Sequence, residues 1–428
     1  MIPKFLSILL LTTTLTQAEN WPGLRGPNQD GSSTETGLPT KFSKTENVKW
    51  SVDLPGPSGA TPTIWGDHVF VSSANESTKK LHAMCFDRKT GKLLWDKQVA
   101  DGFKQDDRSN LAGPSPTTDG KHVYFFYGTT DLVAFDFEGN QVWQRNIQKD
   151  YGSFAFLWTF STSPLVHDGI LYMQVLQRDV SFKAWGREVG RPDGKNDSYL
   201  LALDPASGKE LWKASRPSEA KAESLEAFTT PVIHKNQLLI TGGDCITGHN
   251  PKTGKELWRW GTWNPERIGH WRLVPSPVAG GGVALACAPK KNPIYAVSLG
   301  NAKLMWSSED KEVSSDVSTP AFYKGDFYII NSDRKSLCSV APDGTVHYAE
   351  RIEDCNSKIE ASPTVADGKI YAINHSGQAF VWATGPDYKL LHQTNMGEGK
   401  DGEIRSSIAV SGSNLFIRTD KKLFCIGN

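Results

Sequence analysis

The sequence lacks a surplus of either charge. Lys+Arg and Asp+Glu both number 47 in the 428 residues, so the formal net charge is zero. A protein that binds nucleic acid through the phosphates needs a basic patch, and this balance gives no sign of one. The composition therefore argues against a nucleic-acid partner.

Long apolar runs are scarce, and the marked one lies at the N-terminus. Lys4 precedes the apolar stretch 5–15, and Thr16-Gln17-Ala18 has the small final residue of a cleavage site. This order is typical of a secretory signal peptide, and the stretch is too short to cross a bilayer. We expect a signal peptide over residues 1–18, cleaved near Ala18, no transmembrane segment, and a periplasmic or secreted protein.

Motifs of known catalytic chemistry are missing. The sequence contains no Gly-x-Ser-x-Gly, no His-Glu-x-x-His, no phosphate-binding glycine loop and no Cys-x-x-Cys-His haem site. No set of residues has the spacing of metal ligands. We therefore expect no catalytic residues and no bound metal, and the sequence favours a protein that is not an enzyme.

Cysteine is rare, with six residues, and no two of them are adjacent. Cys85 and Cys425 replace the small alanine that other repeats have in the same strand, which indicates buried thiols. An exported protein can form disulfides. Two pairings stay open, Cys245 with Cys287 and Cys338 with Cys355.

What the sequence does contain is a repeated hairpin. In the clearest copy, strand-like Tyr199–Leu203 is followed by a turn at Asp204–Gly208 and by Leu211-Trp212. In five copies an aromatic residue follows the turn glycine by four positions, namely Trp95, Trp143, Trp212, Trp258 and Tyr348. We expect these aromatic side chains to pack between neighbouring repeats.

A second signature precedes each hairpin. It consists of Ser/Thr-Pro, an apolar pair, an Asp-Gly-like turn and an alternating strand. It starts at Thr61, Ser115, Ser163, Thr230, Ser276, Thr319 and Ser362, and Ser406-Ser407 is an eighth start without proline. Successive prolines are 54, 48, 67, 46, 43 and 43 residues apart. A period in the forties with four strands per unit (A to D in chain order) predicts an all-β, eight-bladed β-propeller of four-stranded antiparallel blades. Seven blades is the alternative, since the repeat near residue 388 is weak.

The two ends of the repeat region complete each other. Residues 47–52 resemble a D strand with Trp50 but no preceding A, B or C strand, whereas the last repeat has no D strand. We expect the N-terminal strand to close the ring, because closure removes an exposed edge. The predicted organisation is a signal peptide (1–18), an N-terminal extended segment (19–47) and a propeller (48–428).

The loops carry the functional information. The A–B and C–D connections are tight turns on one face of the disc, so the longer B–C and D–A connections share the other face. Long ones cluster in blades 2–5, including an insertion at 174–198, and binding usually occurs on such loops. The candidate binding residues at the inner ends of these loops are Arg108, Asn110, Trp158, Glu226, His270, Trp271, Arg272, Asp316, Glu360 and Arg405.

The repeat Ala-x-Asp-x-x-Thr-Gly-Lys-x-x-Trp with its Ser-Pro start resembles the pyrrolo-quinoline quinone (PQQ) type. The resemblance covers 48–428 and implies a PQQ-like propeller, similar to the propeller subunit of the outer-membrane β-barrel assembly machinery. The family also contains quinoprotein dehydrogenases, which have two adjacent cysteines and a Glu/Asn/Asp calcium site. The sequence has no adjacent cysteines, and we could place no calcium set on it.

These observations favour an exported, non-catalytic binding or scaffold module with no cofactor. Its partner would be a protein or a small polar ligand on the face that carries the B–C and D–A loops. The alternative is a PQQ-dependent dehydrogenase with PQQ and calcium. The sequence does not specify an oligomeric state.

Overall fold

The computed structural model describes residues 18–104, 106, 108–397 and 404–428. These residues form 34 strands, one α-helix and one 3-10 helix. The expected signal peptide falls on residues 1–17, outside the described part of the chain, apart from its last residue, Ala18. No helix among the described residues is long and apolar enough to span a membrane.

Eight four-stranded antiparallel sheets follow one another along the chain, as the repeat predicts. The first strand, β1 (Val48–Asp53), belongs to the last blade. Blade 1 contains β2 (Thr63–Trp65), β3 (His68–Asn75), β4 (Lys80–Asp87) and β5 (Leu93–Asp101). Blade 2 contains β6 (Thr117–Thr118), β7 (His122–Phe126), β8 (Asp131–Asp136) and β9 (Gln141–Asn146), followed by α1 (Ile147–Tyr151). Blade 3 contains β10 (Leu165–His167), β11 (Ile170–Val175), β14 (Tyr199–Leu203) and β15 (Glu210–Ser215).

The insertion in blade 3 forms a separate hairpin of β12 (Phe182–Ala184) and β13 (Arg187–Val189). A 3-10 helix, η1 (Ala222–Leu225), follows blade 3. Blade 4 contains β16 (Val232–His234), β17 (Gln237–Gly242), β18 (Cys245–His249) and β19 (Glu256–Gly261). Blade 5 contains β20 (Val278–Gly280), β21 (Val283–Cys287), β22 (Ile294–Ser298) and β23 (Leu304–Ser307).

Blade 6 contains β24 (Ala321–Tyr323), β25 (Asp326–Asn331), β26 (Ser336–Val340) and β27 (Val346–Arg351). Blade 7 contains β28 (Thr364–Ala366), β29 (Lys369–Ile373), β30 (Gln378–Ala383) and β31 (Leu390–Asn395). Blade 8 contains β32 (Ala409–Ser411), β33 (Asn414–Arg418), β34 (Lys422–Gly427) and β1. The prediction of eight blades is confirmed. The seven-bladed alternative is wrong, because the weak repeat near residue 388 still contributes a complete D strand.

Ring closure occurs between the two ends of the repeat region. Strand β1 pairs antiparallel with β34, with Ser51 opposite Phe424 and Asp53 opposite Lys422. Trp50 is 8 % exposed and donates its indole hydrogen to the carbonyl of Arg88 in blade 1 (2.9 Å). The outermost strand of blade 8 therefore comes from the N-terminal part of the chain, as the sequence predicts.

The Ser/Thr-Pro signature forms a series of hydrogen bonds from blade to blade around the central channel of the ring. In blades 1 to 7 the backbone N–H of the signature Ser or Thr donates to the hydroxyl of its counterpart in the next blade. The pairs are Thr61 to Ser115, Ser115 to Ser163, Ser163 to Thr230, Thr230 to Ser276, Ser276 to Thr319, Thr319 to Ser362 and Ser362 to Ser407, at 2.9–3.1 Å. The hydroxyl group of Ser406 donates to Ala60 and joins blade 8 to blade 1 (2.8 Å). These bonds satisfy buried amides that no sheet reaches.

The turn glycines and the D-strand tryptophans meet across blade boundaries. A Cβ atom placed on Gly139 of blade 2 would lie 2.7 Å from the indole of Trp95 in blade 1. The Trp95 indole also donates to the carbonyl of Phe137 in that turn (2.9 Å). The same arrangement joins Trp50 with Gly91, Trp143 with Gly208, Trp212 with Gly254 and Trp306 with Gly344. The glycine leaves the space that the neighbouring indole occupies.

The N-terminal segment crosses the end of the channel on the face of the tight turns. Its hydrogen bonds reach six blades. Trp21 pairs with Ile64 of blade 1. Five further blades each donate one backbone N–H to the segment, from Thr118 to Pro22, from Ile233 to Gln29, from Phe322 to Asp30, from Val365 to Gly31 and from Gly412 to Glu35. Arg25 is 4 % exposed and donates to the carbonyls of Pro320 and Pro363. We call residues 19–35 the plug, because they cover the channel on this face.

Candidate functional site

The opposite face, which carries the B–C and D–A loops, opens into a cavity of about 460 Å³ at the channel mouth. Its wall contains six cationic side chains, namely Arg108, Arg272, Lys290, Lys291, Lys358 and Arg405. It contains three carboxylates, namely Asp316, Asp333 and Glu360. Trp158 and Phe228 supply the large aromatic surfaces. The mouth is thus an aromatic-walled site with an excess of positive charge.

Trp158 lies between two arginines. The guanidinium carbon of Arg108 is 5.2 Å from the ring centroid of Trp158, and that of Arg272 is 5.7 Å away. Such cation–π contacts fix the guanidinium groups beside the indole. The Trp158 indole N–H and Arg272 both donate to Glu223 in η1, at 3.2 and 2.8 Å. The aromatic wall is therefore held in place from behind by a carboxylate.

Glu226 supports the same wall from a fully buried position. Its side chain is 0 % exposed, accepts a hydrogen bond from the backbone N–H of Leu157 (3.1 Å) and forms an ion pair with Arg178 (2.5 Å). Burial raises the pKa of Glu226 to about 7, although the charge of Arg178 acts in the opposite direction. Because this carboxylate has no access to the cavity, it positions residues and cannot itself contact a ligand there.

Glu360 has the opposite electrostatic environment. Burial raises its pKa, but the adjacent His375 imidazole and the charge of Arg405 outweigh burial and lower the pKa to about 2. Arg405 Nε lies 2.7 Å and His375 Nε2 lies 3.0 Å from Glu360 Oε2. Glu360 is therefore ionised at neutral pH, and its charge is matched by its neighbours.

The remaining carboxylates of the wall differ in their partners. Asp333 is paired with Lys358 at 2.6 Å and with Lys291 at 3.7 Å. Asp316 accepts a hydrogen bond from the backbone N–H of Lys290 (2.6 Å). Within the described ranges no cationic side chain forms an ion pair with Asp316, so this carboxylate is the one in the wall that is free to accept a proton or a hydrogen bond from a ligand.

A second cavity of about 780 Å³ continues from the mouth across blades 8 and 1. Arg108, Ser109 and Arg405 line both cavities. The wall of the second cavity also contains the small residues Gly56, Ser58 and Gly59. The two cavities therefore share three lining residues near the blade junction where the ring closes.

The structure brings together six of the ten candidate residues from the sequence. Arg108, Trp158, Arg272, Asp316, Glu360 and Arg405 line the mouth, and Asn110 lines the second cavity. Three do not reach it. Glu226 is buried behind Leu157, His270 is exposed outside the cavity, and Trp271 packs against the apolar core of blades 3 to 5.

Sequence reasoning missed the three lysines and Asp333. Lys290 and Lys291 lie in the B–C connection of blade 5, and Asp333 lies in that of blade 6. The expectation that B–C loops share this face contained the necessary signal. It was applied only to the ends of D–A links, although short B–C loops also reach the mouth.

A smaller recess of about 260 Å³ lies beside the plug on the face of the tight turns. Pro22, Leu24, Trp65, Leu165 and Pro231 line it, and its one arginine, Arg25, already donates to two carbonyls. Because Arg25 is already hydrogen-bonded, the recess offers an anion few donors, and the mouth with its six cationic side chains is the stronger candidate site.

Across the described ranges no group of three or more His, Cys, Asp or Glu side chains could hold a metal ion. All six cysteines are free and buried. Neither of the two disulfides left open by the sequence is formed: Cys245 and Cys287 lie in strands of different blades, and Cys338 and Cys355 pack in separate apolar clusters.

A family model described as PQQ_2, outer membrane protein assembly factor BamB, matches residues 33–191 and 195–427. The chain belongs to this family. A curated relative, polyvinylalcohol dehydrogenase from Pseudomonas sp, is 23% identical over 394 residues, which cover 86% of this chain and 50% of the relative. The chain thus spans about half the length of that relative.

Two solved structures share the fold. A europium-containing methanol dehydrogenase superposes with a TM-score of 0.65 at 12% identity, covering 93% of this chain and 89% of the other. The quinohemoprotein alcohol dehydrogenase from Comamonas testosteroni superposes with a TM-score of 0.64 at 14% identity. The match covers 96% of this chain and 81% of that structure. At such identities the likeness concerns the propeller itself.

Two expectations from the sequence are wrong against these findings. The curated relative is a dehydrogenase, and the similar folds include a quinohemoprotein and a europium-containing enzyme, so the main interpretation as a non-catalytic module without a cofactor does not stand. The alternative, a quinone-dependent dehydrogenase, is favoured instead. The error has a physical origin. The mouth is lined by one to three residues from each of nine separate connections, so no contiguous motif marks it in the sequence.

Proposed function

We propose that this chain is a PQQ-dependent alcohol dehydrogenase whose quinone binds at the mouth. The observation that carries the proposal is the pairing of an aromatic wall with a surplus of cations around one cavity. The curated relative, a polyvinylalcohol dehydrogenase, supports an alcohol as the substrate. We further propose that the protein acts in the periplasm or outside the cell, since residues 1–18 have the pattern of a secretory signal.

The residues of the mouth fit the quinone in charge and shape. PQQ is a planar fused-ring compound with three carboxylates. Six cationic side chains lie in the wall with three carboxylates, and Glu223 behind the wall pairs with Arg272, so a positive surplus remains for a tricarboxylate. Arg108, whose side chain forms no ion pair among the described residues, and Arg272 would bind the carboxylates of the quinone, and Trp158 would contact its ring. Arginine suits this task because its planar donors match a carboxylate in two places.

A metal ion fits these residues less well. Asp333 and Glu360 are both occupied by cationic neighbours, and the part of the chain that the structure describes offers no cluster of three or more acidic, His or Cys ligands. We therefore assign no step to a metal. The positive side chains of the mouth would supply the electrostatic stabilisation that a cation otherwise gives to a bound quinone.

When bound, the quinone would act as the two-electron oxidant, receiving a hydride equivalent from the carbinol carbon and, by way of Asp316, the hydroxyl proton as the alcohol becomes a carbonyl compound; an external redox dye would reoxidise it. Asp316 would accept the hydroxyl proton of the alcohol, because it is the wall carboxylate without an ion pair among the described residues. The plug would exclude water and solutes from the other end of the channel.

The proposal is tested by titrating purified protein with PQQ, with and without Ca²⁺, and by following dye reduction with added alcohols. The double substitution Arg108→Ala/Arg272→Ala should weaken PQQ binding about a hundredfold, because two charge-assisted contacts are lost. Lys209→Ala/Lys255→Ala removes two exposed charges from the opposite face and should leave the affinity unchanged. Failure of the unmodified protein to bind PQQ, or equal binding by both double variants, would contradict the proposal.

Asp316→Asn separates chemistry from binding. The variant should retain its affinity for PQQ, yet its kcat for alcohol oxidation should fall by about a hundredfold or more, as for the loss of a general base. An unchanged kcat would remove Asp316 from the mechanism while leaving the quinone site intact.

A further inference from the structure

The hairpin β12–β13 is the one described sheet outside the eight blades. It is part of the insertion between β11 and β14 of blade 3, and Ala184 pairs with Arg187 across a turn of only two residues, Trp185 and Gly186. Both turn residues have positive φ, +54° for Trp185 and +73° for Gly186. A two-residue turn of this kind ordinarily contains Asn-Gly.

A tryptophan at the first position of this turn lowers the stability of the hairpin for two reasons. A bulky side chain in the left-handed region is disfavoured by the backbone. The side chain is also 59% exposed, so most of its apolar surface remains in water. The contacts that the indole makes with its neighbours leave most of the ring exposed, and contact with a ligand would cover that remainder.

The turn is held against the mouth. The ring centroid of Trp185 lies 5.6 Å from that of Trp158, with the planes inclined at 57°. The Trp185 indole N–H donates to the carbonyl of Leu157 (3.2 Å). The exposed indole therefore extends the aromatic wall of the cavity outward, in a fixed position.

The base of the hairpin is fixed as well. The guanidinium carbon of Arg178 lies 4.0 Å from the ring centroid of Phe182, and Arg178 is paired with the buried carboxylate of Glu226. Glu226 also accepts from the backbone N–H of Leu157. The Glu226 carboxylate thus anchors both the hairpin and the segment that contains Trp158.

A recess of about 240 Å³ lies below the hairpin, and Trp158 lines both this recess and the mouth. Phe154, Phe156 and Phe160 lie at its base but are at most 7% exposed, so polar groups, including Arg187 and Glu188 of the hairpin, supply most of its open surface. Trp158 and Trp185 are therefore the exposed aromatic surfaces beside the recess.

We infer that the hairpin is the substrate-binding arm of the mouth, and that Trp185 contacts the carbon chain of an extended aliphatic alcohol. The inference rests on the proposed function and deepens it by naming the substrate class. The two indoles meet at an angle and touch each other, so a rigid planar ring cannot lie flat on both. A flexible hydroxylated chain can follow the bend while its terminal hydroxyl enters the mouth.

Kinetics with the PQQ-loaded enzyme test the inference. Trp185→Ala should raise KM for octanediol about tenfold, as for the loss of an apolar substrate contact. KM for methanol, kcat for both substrates and the affinity for PQQ should change less than about twofold. Trp185→Phe should restore most of the octanediol KM. Met305→Ala, at a residue 60% exposed on the outer strand of blade 5, is the matched control and should change none of these values.

A binding measurement keeps the two proposals distinguishable. Saturation-transfer NMR with octanediol and protein without PQQ should show signals from the methylene protons for the unmodified protein and Met305→Ala, and a loss of these signals for Trp185→Ala. Equal signals in Trp185→Ala, or an equal KM for octanediol, would overturn the inference. Absence of PQQ binding together with a Trp185-dependent NMR signal would instead overturn the proposed function and leave the alcohol-binding arm in place.

Discussion

The backbone N–H of Ser163 donates to the hydroxyl of Thr230 in the next blade at 3.1 Å. Ser163 is 3% exposed and Thr230 is 6% exposed, so water does not compete effectively for this bond. The contact explains why the repeat begins with Ser or Thr: the hydroxyl accepts a hydrogen bond that the preceding blade needs, and the proline that follows has no N–H to satisfy.

Thr230→Val tests this role, because the substitution keeps the shape and removes the acceptor. The N–H of Ser163 would remain buried without a partner, which costs about 1–3 kcal/mol of unfolding free energy. Urea denaturation measures the change. Thr78→Val, at an exposed position, is the control and should stay within about 0.5 kcal/mol. An equal change in unfolding free energy for the two variants would show that the hydrogen bonds between blades do not stabilise the fold.

The contact between Gly139 and Trp95 permits a sharper comparison. Gly139 has φ +86°, and an added Cβ would lie 2.7 Å from the indole of Trp95. Gly169 has φ +71°, but nothing lies within 4 Å of its added Cβ. Gly169→Ala should therefore cost only the backbone strain, about 1 kcal/mol. Gly139→Ala should cost about 1–3 kcal/mol more, since the indole must move. Similar losses at both positions would mean that the indole moves without cost.

The fold could be predicted in detail because each blade repeats its own signals. The Ser/Thr-Pro starts and the Gly-to-Trp spacing fixed blade number, strand order and ring closure. What the spacing could not reveal is that the glycine and the tryptophan of one repeat serve different neighbours. Trp95 packs against Gly139, not Gly91, because the blades stack face to face.

The site was harder to predict, for a related reason. Arg108, Trp158 and Arg272 come from three different blades, and their proximity arises only from ring geometry. The rule that loops of one face meet at the mouth found them, but it also selected His270 and Trp271, which lie two positions and one position before Arg272 and do not line the cavity. Sequence alone could not tell that the adjacent Arg272 faces inward.

The state of the cysteines gives a direct chemical prediction. All six thiols are free and buried, and burial raises the pKa of Cys287 to about 12. We expect the folded protein to react slowly with iodoacetamide, and the protein unfolded without reductant to take up six equivalents. Mass spectrometry counts the adducts. A reductant should leave the melting temperature unchanged. Four adducts instead of six would reveal a disulfide that contradicts the structure.

Glu226 should make stability depend on pH near neutrality. Burial raises its pKa from an ordinary value of 4.5 to about 7, while Arg178 lowers it and Glu223 raises it. The folded state therefore binds a proton that the unfolded state releases between these two values. The free energy of unfolding contributed by this group is highest below pH 4.5 and falls as the pH rises to 7, by about 3 kcal/mol in total.

Glu226→Gln cannot release this proton, so its unfolding free energy should lack that part of the decline between pH 4.5 and 7. The difference in slope is the measured quantity, because the exchange of a neutral carboxyl for an amide adds only an offset that does not depend on the pH. Urea denaturation at a series of pH values gives both slopes. Glu46→Gln, at an exposed carboxylate, should follow the unmodified protein at every pH. Parallel profiles for Glu226→Gln and the unmodified protein would show that Glu226 remains ionised throughout, and that Arg178 outweighs the effect of burial.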